Sequence, residues 1–165
     1  MTKKHIYFGG PLFSESELNY NAFLVEKIRE KYGEQVEVYL PQENAAINDK
    51  SQYADAIDIF KGDNAFLEQA DLLVAIMDGP IVDPGLAAEI GYFYHLDRPI
   101  LGLYSDTRQG HFNNQEKIDA LEEVAESQFS YINLYVVGAV KSRGEIVKSS
   151  ETLLEKIGEW LKKQA

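Results

Sequence analysis

The stretch 71-DLLVAIMDGPIVDPGLAAEIGYFYHLDRPILGLY-104 decides the fold. Its first eight residues, "DLLVAIMD", form an unbroken apolar run between acids, the mark of a strand buried on both faces. A loop rich in Gly and Pro follows. Asp83 then accepts hydrogen bonds from the first free N–H groups of a helix, and Pro84 fits the first helical position, so a helix is predicted to run to about Leu96. "RPILGLYSD" reads as the next strand. Strand, helix and strand in that order make a parallel crossover, because two parallel strands need a helical return to connect their ends.

The same alternation extends outward in both directions. "HIYFGG" at 5–10 is a short strand closed by glycines, and Ser14 with Glu17 three residues on forms a capping-box pattern before Leu18, Ala22, Val25 and Ile28 recur at helical spacing, with Gly33 as terminator. "VEVYLP" is the second strand. "QENAAINDKSQYAD" is polar and without a clear period, while "AIDIFKGDNAFLEQA" resumes the helical pattern despite Gly62. After the fourth strand come the polar "TRQGHFNNQ", a helical "EKIDALEEVAES", an ambiguous "FSYINLYVVGAV", a short "GEIVK" and the terminal helix "SSETLLEKIGEWLKKQ". This order predicts a three-layer α/β/α sandwich with a mostly parallel sheet. Ligands in such sheets sit beyond the carboxyl ends of the strands, which points to "GGPLF", the segment around Asp63, "DGPIVDPG" and "SDTRQG".

Composition narrows the possible functions. With 165 residues, 45% of them hydrophobic, one domain over 1–165 with a sizeable core is expected. Lys and Arg total 16 against 27 for Asp and Glu, and a net charge of -11 disfavours a broad surface for nucleic acid polymers or acidic membranes. Small or neutral partners fit better. The absence of cysteine excludes thiol nucleophiles, disulfides and Cys-based metal sites. "MTKKHIYFGGPLF" has too short an apolar run for a signal segment or a membrane span, so a soluble, cytoplasmic protein is expected. His5, His95 and His111 show no metal-ligand spacing, and no G-x-S-x-G motif occurs.

Glu89 is the anomaly of the deciding stretch. Gly85 and Leu86 precede it by a helical turn, Tyr92 and Phe93 follow by one, and no Lys or Arg neighbours it along the helix. It either points outward or is a functional acid in a cleft, because burying an unpaired carboxylate costs several kcal/mol or moves its pKa. Asp83 is explicable as a cap alone. Gly85 and Gly91, each costing about 1 kcal/mol against alanine within a helix, suit either helix-to-sheet packing or the close approach of a ligand. Tyr7 and Phe13 read by pattern as core residues, and Asp63 as an exposed helix residue.

Taken together, "IYFGGPLF", "DNAFLEQAD" and above all the D-x-G-L-x-x-E-I-G-Y pattern over 83–92 resemble the nucleoside 2-deoxyribosyltransferases and their relatives, the 2'-deoxynucleoside 5'-phosphate N-hydrolases. The resemblance implies a flavodoxin-like fold, a homo-oligomer (dimer or higher) with sites shared between subunits, 2'-deoxynucleoside and nucleobase substrates, and no metal or organic cofactor. It implies that Glu89 is the nucleophile toward the anomeric carbon, that Tyr7 orients it, and that Asp63 stands near the nucleobase. Asp83 matches a sugar-hydroxyl ligand, Gly9 and Phe13 match a backbone turn and a base-packing aromatic, and Asn133 of "INLYVVGAV" matches a residue reaching the sugar's 5' side in a neighbouring subunit. Where 5'-monophosphate hydrolases carry a small neutral residue, this chain has Asp83, which favours free nucleosides. The added stretch over 106–131 and the ending "EWLKKQA" depart from the transferases and leave base or water open as the sugar's acceptor. The alternatives are a deoxynucleoside 5'-monophosphate N-hydrolase and, outside enzymes, a nucleotide-sensing α/β module.

Overall fold

The computed structural model describes residues 2–45, 53–110 and 113–164. His111, and parts of the polar segments "QENAAINDKSQYAD" and "TRQGHFNNQ", lie outside the described residues. In chain order the elements are β1 (Lys4–Gly9), α1 (Glu15–Tyr32), β2 (Val36–Tyr39), a 3-10 turn (Pro41–Glu43), α2 (Ala56–Gln69), β3 (Leu72–Ile76), α3 (Pro84–His95) and β4 (Ile100–Leu103). There follow α4 (Gln115–Asp119), a 3-10 turn (Ala120–Glu122), α5 (Leu134–Arg143), β5 (Gly144–Val147) and α6 (Ser150–Gln164). The five strands form one sheet in the order β2-β1-β3-β4-β5, and every neighbouring pair is parallel. This is the parallel α/β sandwich that the alternation predicts, and the flavodoxin-like fold that the family resemblance implies.

The strand period of two sorts side chains into two cores. Ile6 and Phe8 of β1 point to one face, where Leu24, Val25 and Ile28 of α1 and Leu153, Ile157 and Trp160 of α6 cover them. Tyr7 points to the other face. There it packs with Leu67 of α2, Leu86, Ile90 and Phe93 of α3, and Val140 of α5. All five residues of β3 are buried, as the unbroken apolar run requires of a central strand. Each fully buried Leu, Ile or Val contributes about 1.5–3 kcal/mol relative to leaving it exposed.

The helix starts follow their caps. Ser14 and Glu17 exchange hydrogen bonds in a complete capping box, with Glu17 Oε2 accepting from the Ser14 N–H at 2.8 Å. The Asp83 carboxylate accepts from the Leu86 N–H at 2.9 Å, with Pro84 at the first helical position. Gly33 ends α1 as expected, although in a right-handed conformation, with its N–H donating to the Arg29 carbonyl. Two segments differ from the reading of the sequence. "EKIDALEEVAES" yields only four of the five residues of α4 and a 3-10 turn, because Leu121 and Val124 stay exposed and so short a helix cannot persist without an apolar face to bury. The ambiguous "FSYINLYVVGAV" resolves into α5, anchored by the buried Val140.

Chain order sets where a ligand belongs. From β1 the chain steps to β2 on one side through α1, then crosses back to β3 on the other side through α2, so the ends of β1 and β3 flank a topological switch point. No helix among the described residues is long and apolar enough to cross a membrane.

Candidate active site

Two periodicities meet at the switch point. On β1 the alternation turns Tyr7 into the α2/α3/α5 layer, two residues before the strand ends at Gly9. On α3 the buried stripe is Leu86, Ile90 and Phe93, and Glu89 sits on its flank, three residues beyond Leu86. The result is a direct contact. The Tyr7 hydroxyl donates to Glu89 Oε1 at 2.7 Å across 82 residues of sequence.

Gly9 makes that contact possible. A Cβ at position 9 would stand 2.8 Å from Leu86 Cδ1 and 3.0 Å from Glu89 Oε2, so any side chain there would displace the ends of the Leu86 and Glu89 side chains. Gly85 similarly clears Asp83, whose Oδ2 would lie 3.0 Å from a Cβ at position 85. Gly91 has a different role, because an added Cβ would meet nothing within 4 Å. Helix-to-sheet packing therefore does not explain it; Gly91 lines an open groove.

That groove has a volume of about 1050 Å³ and is walled by α2, α3 and α5, including Phe60, Asp63, Glu89, Tyr92 and Tyr135. Its size is at the upper end for small-molecule sites. Most of its wall is apolar, and the acids Glu89 and Asp63 stand in it together. Among the described residues every Lys or Arg ion pair lies elsewhere. No group of three His, Asp or Glu side chains among them is placed to hold a metal ion.

Burial without a cation shifts the titrations. The Glu89 carboxyl is pushed up from 4.5 to about 7, first by desolvation and then by the negative charges of Asp63 and Asp83, while the Tyr7 hydrogen bond pulls it partly back. The Tyr7 phenol is driven far above its ordinary range by burial and by Glu89 beside it. It stays a proton donor at any working pH. Burial also raises Asp63, against which Tyr39 donates to its Oδ1 at 3.4 Å. Tyr39 itself is pushed up to about 12, chiefly by burial. The arrangement can hold one carboxylate half-ionised near neutrality in a largely apolar groove, with a second acid across from it.

The structure thus brings Tyr7, Gly9, Glu89 and Asp63 together, with Asp83 close enough to influence Glu89. It does not bring in the other two candidates. Phe13 is 79% exposed, with its backbone N–H bonded to Glu17. Asn133 is exposed and caps α5, its Oδ1 accepting from the N–H of Tyr135 at 3.0 Å. Tyr39 and Asn44, which join the site through Asp63, carry no motif; the only sequence signal for Tyr39 is its place at the end of "VEVY".

A family model described as nucleoside 2-deoxyribosyltransferase matches residues 6–123, which span Tyr7, Asp63, Asp83 and Glu89. The chain belongs to the nucleoside 2-deoxyribosyltransferase family. Members of this family are glycosyl-transferring enzymes. A crystal structure of a conserved protein from Enterococcus faecalis V583 is 51% identical, with a TM-score of 0.89 over 96% of this chain and 99% of that one. An uncharacterized protein from Ureaplasma parvum serovar 3 is 31% identical over 116 residues, 63% of this chain and 70% of its own length. A 2-desoxiribosyltransferase from Leishmania mexicana shares the fold, with a TM-score of 0.64 at 21% identity over 94% of this chain and 97% of that one.

Proposed function

We propose that this member of the family cleaves the N-glycosidic bond of 2'-deoxynucleosides through a covalent deoxyribosyl intermediate on Glu89, and passes the sugar to another nucleobase or to water. The observation that carries the reading is the Tyr7–Glu89 contact: a carboxylate without a cation, held by one phenol and opening into an apolar groove. Departure of the base leaves positive charge on the anomeric carbon, and a fixed carboxylate beside it stabilises that charge before bonding to it. In the first step a Glu89 oxygen bonds to the anomeric carbon while the electrons of the carbon–nitrogen bond leave with the base, which takes the proton of the Asp63 carboxyl and leaves Asp63 ionised. In the second step the incoming base nitrogen or a water oxygen bonds to the carbon and gives its proton to the Asp63 carboxylate, and Glu89 departs as carboxylate. Two displacements on opposite faces retain the anomeric configuration.

Asp83 is assigned to a sugar hydroxyl, with the carboxylate oxygen not engaged by Leu86 available for it. Gly9 leaves room for the backbone turn at the sugar, and the exposed Phe13 is available to pack on the base. Mixing the protein with a 2-fluoro-2-deoxynucleoside is expected to give a sugar adduct on Glu89 by mass spectrometry. A matched pair of deoxynucleoside and 5'-monophosphate is expected to favour the nucleoside, because Asp83 repels a phosphate dianion by about 1 kcal/mol or more. Preference for the phosphate would defeat the assignment of Asp83; no adduct and no base release would defeat the enzyme reading.

The groove also supports a homo-oligomer. Leu134 and Tyr135, next to Asn133, are 76% and 88% exposed, an apolar edge suited to a second copy that would bring Asn133 toward the sugar. Sedimentation of the parent should show a dimer or larger species, and Tyr135→Glu should shift it toward monomer; a monomeric parent would refute the arrangement.

A further inference from the structure

β1 and β2 pair with Tyr7 opposite Tyr39, and the two rings stand 5.3 Å apart. Each phenol donates to one acid of the groove: Tyr7 to Glu89 on α3, Tyr39 to Asp63 on α2. Tyr39 has a further partner. The Asn44 side-chain amide donates to its oxygen at 3.1 Å. In its ionised form Asp63 can only accept, so with Asn44 filling one lone pair of Tyr39 the phenol proton points at Asp63. The Tyr39 ring is fixed by stacking on Phe66 at 3.7 Å with an interplanar angle of 11°. Its hydroxyl is therefore aimed by packing before any ligand arrives.

We propose that Tyr39 is a positioning residue for the leaving base: held by Asn44 and Phe66, it engages Asp63 Oδ1 and leaves Oδ2 to meet the nucleobase. The inference rests on the functional reading above, in which Asp63 stands at the base. The groups that face Asp63 are Tyr39 from β2, Tyr7 from β1 and Glu89 from α3. None of them is a cation. Among the described residues Tyr39 is the one hydrogen-bond donor to this carboxylate, so it orients Asp63 and opposes the rise that burial imposes on its titration. The 3.4 Å separation is long for a hydroxyl bonded to a carboxylate, as such bonds often are before substrate draws the site together.

The test is Tyr39→Phe, which keeps the ring and its stacking, together with Asn44→Ala, which frees the hydroxyl without touching Tyr39. Loss of the donor should raise the midpoint of the Asp63 carboxyl titration, followed by NMR. It should lower kcat for base release about tenfold. The same substitution made on top of Asp63→Asn should cost no further rate, because the two residues act as one unit. Asn44→Ala should move both readouts the same way by less. An unmoved Asp63 titration overturns the proposal, as does a loss that recurs in full without the Asp63 carboxylate. If the parent releases no base, the functional reading fails, and the Asp63 titration still decides the role of Tyr39.

Discussion

Glu89→Gln is expected to lower the rate of base release from a deoxynucleoside on the order of 10⁴-fold or more, the scale on which a covalent mechanism fails without its nucleophile. The amide keeps the shape of the side chain and can still accept from Tyr7, so the fold and the groove are preserved. Only the nucleophilic oxygen's charge is removed. Tyr7→Phe supplies the contrast. It deletes a donor to a charged group and should cost about 10–100-fold. It should also move the acidic limb of the pH–rate profile upward, because the Tyr7 hydrogen bond holds the Glu89 pKa, raised to about 7, below where burial alone would put it. Initial rates of both variants over pH 5–9 separate the roles. Near-normal base release by Glu89→Gln would end the covalent reading.

The placement of Glu89 in the groove is legible in one dimension, because a helix with a single acid and no nearby cation stands out along the sequence. "DPGLAAEIGY" shows the cap, the apolar stripe and the misfit carboxylate together, and the neighbouring strands follow from their apolar runs. Tyr7 is harder, because period two makes it a core residue, and it packs in the core while reaching Glu89 in the candidate site. Its ring is fully buried in the core while its hydroxyl emerges beside Glu89. Tyr39 was not legible at all. Its relation to Asp63 depends on β2 lying beside β1 in a register that sets Tyr39 opposite Tyr7, and local pattern carries no register between residues 32 apart. The same limit explains α4: "EKIDALEEVAES" has helical spacing, yet nothing in that spacing says whether a surface waits to cover Leu121 and Val124.

A carboxylate tuned in this way carries a cost in stability, and Glu89→Gln is expected to reveal it as a gain. In the unfolded chain Glu89 titrates near 4.5, whereas in the folded protein it holds its proton up to about 7. Between those values the folded state binds more protons than the unfolded one, so stability falls as pH rises from about 4.5 to 7 and stays lowered above it. The gap corresponds to about 3 kcal/mol as an order of magnitude. Gln is neutral throughout and escapes the loss. The variant should therefore match the parent near pH 4.5 and exceed it above pH 7, by about 6–12 °C in Tm for a chain of this size. Thermal unfolding of the pair at pH 5 and pH 8.5 checks the sign. Equal differences at the two pH values would mean that Glu89 is not desolvated in the folded protein. A gain confined to the higher pH would show that the fold gives up stability to keep a reactive carboxylate out of water, which is how stability and activity come to oppose each other at one residue.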